Sequence, residues 1–216
     1  MKKRLFSLAL SLALSLSLMP MGAAAAGRSF VDVKKSDWFY EGVQYTVDEG
    51  LFKGISADEF GPKEEMTRSM VVQTLYALAG KPAVKKTHRF PDVKDSDWYA
   101  DAVAWAVKNG VASGYDDGRF APEDTITREQ LAVMLHGYRK KPGSNQSLHF
   151  TDTSTISAWA KPAMRWAVER GLMSGVGGNR ISPKSTATRA EGAVIMMKFH
   201  QQVNSQPGGE NQLPIG

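Results

Sequence analysis

The chain repeats itself about every sixty residues, and that period limits its fold more than any other feature. Thr67-Arg68, Thr127-Arg128 and Thr188-Arg189 each precede an apolar run. The same marks recur upstream of each pair, in the same order. Phe30, Phe90 and Phe150 open a unit, and Asp32, Asp92 and Asp152 follow two residues on. Next come Trp38, Trp98 and Trp159, then Gly54, Gly114 and Gly175, then Pro62, Pro122 and Pro183. The third Trp arrives one residue late, which places a single insertion within residues 153–158. Repeats of this length are supersecondary units that bury their apolar faces against one another.

Each unit reads as helix, loop, helix. In the second, Asp95, Ser96 or Asp97 is placed to cap a helix starting near Trp98. Val103, Ala106 and Val107 share one face at helical spacing. Asn109-Gly110 ends the helix, because Gly accepts a left-handed backbone. Residues 113–120 are turn chemistry throughout. Thr127 then caps a second helix, with Gln130 placed for the reciprocal bond of a capping box. Thr188 with Glu191 repeats the box, whereas Met70 leaves Thr67 without it. A unit of about 55 residues is marginal as an independent core. The expected fold is mainly α, with three helix-loop-helix repeats packed as a pseudo-threefold bundle. The second helices meet in the middle, and Leu75, Leu135 and Met196 form a shared core.

The N-terminus has the layout of a secretory signal peptide. Lys2, Lys3 and Arg4 precede an uncharged apolar and Ser-rich run, then Pro20 and four Ala ending at Ala26. The expected organisation is a signal peptide at 1–26, repeats at 27–86, 87–146 and 147–203, and a disordered Gly-, Pro- and Gln-rich tail at 204–216. Cleavage would remove three bases and no acid, so the net charge of +5 falls to +2. With no long basic run, nucleic acid is not an expected partner, nor is membrane insertion after cleavage. No cysteine is present, so a secreted chain must hold itself together by core burial.

The repeated Arg sits at the positive end of a helix, where a cation is disfavoured. Arg68, Arg128 and Arg189 therefore have another use. One is bidentate capture of a carboxylate or phosphate, assisted by helix N–H groups. The other is a structural salt bridge to Asp32, Asp92 or Asp152. Trp38, Trp98 and Trp159 either stack on a sugar ring or join the core. Tyr45, Trp105 and Trp166, seven residues further on, read as core. Gly54, Gly114 and Gly175, with Ser113 and Ser174 before two of them and Lys53 before the first, serve a turn or the close approach of a ligand to backbone.

Enzyme signals are poor. The four His have no ligand spacing, so neither a metal nor a cofactor is expected. No nucleophile elbow or phosphate-binding loop occurs. Asp116-Asp117 with Glu123-Asp124 could form a glycosidase pair, but the third unit has Gly177-Gly178 and Lys184-Ser185 there.

Taken together, Phe-x-Asp-Val, the Trp, Ser113-Gly-Tyr-Asp-Asp-Gly-Arg-Phe120 and Ile126-Thr-Arg-Glu129 resemble the S-layer homology (SLH) domain, in three tandem copies covering about residues 28–200. The resemblance implies a pseudo-trimeric fold around a central helix bundle. It further implies a secreted bacterial protein held at the cell wall by secondary cell-wall polysaccharide, often bearing a pyruvylated amino sugar. It implies ligand contact by Arg68, Arg128 and Arg189, packing of the three Trp on the sugar, and Asp32, Asp92 and Asp152 bonded to sugar or orienting the Arg. Only the third unit has the full Thr-Arg-Ala-Glu; the first has Thr-Arg-Ser-Met and the second Thr-Arg-Glu-Gln. The three grooves are therefore expected to be unequal, the weakest being the one built mainly from the first unit's helix start. The alternatives are a self-assembling surface-layer protein, a wall-active glycoside hydrolase, and an adaptor for other surface proteins.

Overall fold

The computed structural model describes residues 29–86 and 90–205. The expected signal peptide and nearly all of the expected tail lie outside them. Among the described residues there are six α-helices: α1 (Tyr40–Asp48), α2 (Arg68–Leu78), α3 (Ala100–Lys108), α4 (Arg128–Tyr138), α5 (Lys161–Glu169) and α6 (Arg189–Asn204). The inserted residue of the third unit is taken up by short 3-10 turns at Thr153–Thr155 and Ala158–Ala160. None of these helices is long and apolar enough to cross a membrane.

The Thr caps form as their sequence predicts. Thr67, Thr127 and Thr188 each accept from the N–H three residues on, and the reciprocal bond from Gln130 or Glu191 is present in the second and third units. The first helices differ from expectation. α3 starts at Ala100 rather than near Trp98 and has no side-chain cap. Asp97, a candidate cap, instead accepts from Lys94 N at 2.7 Å in the preceding turn.

Helix pairing crosses unit boundaries. α2 packs on α3, α4 on α5, and α6 returns to pack on α1. The last helix therefore closes the ring onto the first. Gly42 permits this closure, since a Cβ there would meet the Val194 backbone at 2.9 Å. Leu75, Leu135 and Met196 are fully buried in one continuous core.

The bundle is also closed by main-chain bonds at the N-terminal ends of α2, α4 and α6. Met66 N donates to Ala187 O at 2.9 Å, Ala187 N to Ile126 O at 3.0 Å, and Ile126 N to Met66 O at 2.8 Å. These bonds form a triangle around the pseudo-threefold axis, and all three residues are buried. Outside it, each helix start donates into the next unit: Arg68 N to Asp124 O and Ser69 N to Pro122 O, Arg128 N to Ser185 O and Glu129 N to Pro183 O. Arg189 N to Glu64 O and Ala190 N to Pro62 O complete the cycle. The recurrent Pro thus supplies a carbonyl to a neighbouring helix start, satisfying groups that a helix cannot satisfy itself.

Candidate functional site

The helix-start arginines are buried, at 5%, 4% and 7% exposure for Arg68, Arg128 and Arg189. Each reaches into the loop of the next unit and binds two main-chain carbonyls. Arg68 donates from Nε to Phe120 O at 3.0 Å and from Nη2 to Ser113 O at 2.9 Å. Arg128 does the same to Ile181 O and Ser174 O, both at 3.0 Å. Arg189 closes the cycle on Phe60 O at 2.9 Å and Lys53 O at 2.6 Å. Burial pushes all three guanidiniums below their ordinary pKa, opposed by nearby carboxylates such as Asp124, Glu191 and Asp32. An Arg stays charged through such a shift.

The Asp residues hold the same loops from the other side. Asp32 accepts from Phe60 N and Gly61 N, Asp92 from Phe120 N and Ala121 N, and Asp152 from Ile181 N and Ser182 N, at 2.7–3.0 Å. Each carboxylate therefore has both oxygens on its own unit's backbone. In place of the salt bridge to the Arg that one reading anticipated, the two side chains share a residue, the Asp holding its N–H and the Arg its C=O.

Ser113, Ser174 and Lys53 each offer a main-chain carbonyl to an Arg, a bond that does not depend on which side chain stands there. Gly54 and Gly114 have ordinary backbone conformations. What they need is space: a Cβ would meet the Phe30 Cε1 at 2.7 Å and the Phe90 Cε1 at 2.4 Å. Gly175 is less tight, with the Phe150 ring at 3.3 Å.

The tryptophans separate into two groups. Trp105 and Trp166 are buried, whereas Trp38, Trp98 and Trp159 are 67%, 60% and 58% exposed. Phe39 and Tyr99 brace Trp38 and Trp98 edge-on, at 5.4 and 5.1 Å between ring centres.

Arg and Trp from different units meet in grooves. One groove of about 390 Å³ is lined by the first unit's loop from Gly50 to Ile55, by Met70 and Gln73 of α2, by Trp98 of the second unit and by Arg189 of the third. A second, of about 340 Å³, is lined by the third unit's loop from Leu172 to Val176, by Glu191 and Lys198 of α6, by Trp38 of the first unit and by Arg128 of the second. Each groove thus draws on all three units. They differ in charge. The first has Lys53, Lys81 and Arg189 and no acid in its lining. In the other, Glu191 Oε1 lies 3.5 Å from Arg128 Nη1.

A family model described as the S-layer homology domain matches residues 29–69, 89–132 and 149–193. The chain belongs to the S-layer homology domain family. Its three SLH units are similar over 88% of the chain to the Surface-layer 125 kDa protein of Lysinibacillus sphaericus, at 30% identity and 16% of that protein's length. The S-layer protein sap of Bacillus anthracis matches 85% of the chain at 31% identity, over 22% of its own length. Exoglucanase XynX of Acetivibrio thermocellus matches 86% of the chain at 28% identity, over 17% of its own length. The SLH chain spans less than a quarter of each of these relatives. Family and relatives together support cell-surface or S-layer association.

Neither the Arg-to-carbonyl bonds nor the composition of the grooves could be read from sequence. The backbone partners have no side-chain signature. The one available signal was Lys53 standing where the other units have Ser, which fits a position used through its carbonyl.

Proposed function

We propose that this SLH chain binds secondary cell-wall polysaccharide in its inter-unit grooves and so anchors itself at the bacterial cell surface. One observation carries the reading: an exposed Trp of one unit and a buried guanidinium of another line the same groove. Arg189 spends Nε and Nη2 on carbonyls, and among the described residues nothing is bonded to its Nη1. That nitrogen is the donor for an anionic substituent, such as the carboxylate of a pyruvylated amino sugar. Trp98 offers a flat apolar surface to the same sugar. Because Arg189 is already held, little side-chain freedom is lost on binding. More than one groove on one chain gives avidity on a polymer.

The reading is of a binding module without catalysis. Of the acids weighed as a hydrolytic pair, Asp117 is held by Arg119 at 2.8 Å, on the exposed face of its loop. The resemblance to an exoglucanase is confined to 17% of that enzyme.

The test is calorimetric titration of the whole chain with purified wall polysaccharide, before and after chemical removal of pyruvate, for wild type and Trp98→Ala. The expected result is binding that weakens on pyruvate removal and weakens again, roughly tenfold, in Trp98→Ala. Binding indifferent to both changes would place the site elsewhere. Self-association without polysaccharide binding would favour a lattice-forming protein.

A further inference from the structure

The C-terminal ends of the paired helices carry different charges around the ring. α2 and α3 end at Ala79 and Asn109, which are neutral. α6 and α1 bring His200 Nδ1 to 4.0 Å from Glu49 Oε2. At the equivalent positions α4 and α5 end at Arg139 and Arg170, two cations. An Arg at either helix end is favourable by itself, because the helix dipole is negative there. Side by side the two repel: burial lowers the Arg139 pKa, and Arg170 lowers it further. Both line a cavity of about 380 Å³, together with the buried Trp166 and with Gln202 and Ser205 from the end of α6. Gln202 Nε2 donates to Arg170 O at 2.8 Å, which ties α6 to the end of α5. Exposed Glu169 is the one acid in the lining among the described residues.

We infer that this cavity is a binding site for a phosphate group carried on a small polyol or sugar. It shares no lining residue with the two Trp grooves, so it stands apart from the wall-polysaccharide reading. A guanidinium is well matched to phosphate, since its planar fork gives two parallel N–H bonds. Two guanidiniums at one cavity suit a tetrahedral phosphate, whose oxygens point several ways, better than a planar carboxylate. A bound phosphate also relieves the repulsion between Arg139 and Arg170. The volume lies in the range of small-molecule sites, about 300–1,000 Å³, so the cavity admits an organic body as well as the anion.

The probes are glycerol 3-phosphate and poly(glycerol phosphate), titrated calorimetrically into the full chain, with glycerol as the blank. Wild type is expected to bind glycerol 3-phosphate and not glycerol. Arg170→Asn copies Asn109 at an exposed position and should weaken that binding roughly tenfold. Glu169→Gln removes the acid and should tighten it. Tighter binding of the monoester than of the polymer, per phosphate, assigns the site to a free phosphate ester; the reverse assigns it to a phosphodiester polymer. No binding of either phosphate by folded wild type, or binding that Arg170→Asn and Glu169→Gln both leave unchanged, would overturn the site.

Discussion

Arg68 and Asp92 hold opposite ends of a single residue. Asp92 accepts the Phe120 N–H at 3.0 Å, and Arg68 donates to the Phe120 carbonyl at 3.0 Å. Arg128 with Asp152 grips Ile181 in the same way, and Arg189 with Asp32 grips Phe60. The Asp belongs to the loop's own unit and the Arg to the preceding one. The pair therefore locks each loop locally and joins it to its neighbour, and two of the same Arg side chains line the grooves.

Truncating an Arg should accordingly destabilise the fold. Arg68→Ala would leave the Phe120 and Ser113 carbonyls without their charged donor, at a cost of about 2–4 kcal/mol. Urea denaturation checks this, with an unchanged midpoint as the contrary result. Lost binding in such a variant would not by itself show ligand contact, so the exposed Trp positions are the cleaner probes.

Acid should weaken the same clamp. Burial pushes the Asp152 carboxyl up, but N–H bonds from Ile181 and Ser182 together hold it below its ordinary value. A carboxyl lowered in the folded state gives stability that is full above its unfolded pKa, about 4, and is lost as pH falls through the folded one. Denaturation midpoints should fall from about pH 4 downward. Asp152→Asn should be less stable at neutral pH and should flatten that slope; an unaltered slope would remove Asp152 from the account.

Ring closure by α6 on α1 depends on Gly42. Its Cβ in Gly42→Ala would lie 2.9 Å from backbone atoms of Val194. A helix backbone cannot yield as a side-chain tip can, so overpacking should cost about 1–3 kcal/mol. Thermal unfolding measures it. Gly50→Ala tests the other use of Gly: nothing lies near its Cβ, but its φ of +67° is strained for Ala.

Much of this was legible in the sequence. The three Thr caps, the central positions of Leu75, Leu135 and Met196, and the pseudo-threefold body follow from local patterns repeated at one period. The pairing of α2 with α3 did not. Periodicity says which face of a helix is apolar but not which helix covers it. The start of α3 was displaced because Asp97 serves the Lys94 turn, a competing use of the same side chain. Tyr115 over Arg68 joins residues far apart in the chain through a contact that no spacing encodes.

The two grooves should respond differently to charge. Glu191 lies near Arg128 Nη1 and also caps Thr188 N at 3.1 Å. Glu191→Gln keeps the cap, as Gln130 does in the second unit, and removes the competing carboxylate. Affinity for the anionic sugar in that groove should rise several-fold, and the salt dependence should steepen. Unchanged affinity would mean that Arg128 is not the anion's partner.

The central claim is that exposed Trp and buried Arg form one sugar site, and the indole N–H signals of the five Trp test it most directly. Titration of the full chain with the pyruvylated sugar should shift the Trp38 and Trp98 signals and leave buried Trp105 and Trp166 in place. The same sugar without pyruvate should shift them far less. Equal shifts with and without pyruvate, or none at Trp38 and Trp98 while the sugar binds, would contradict the account.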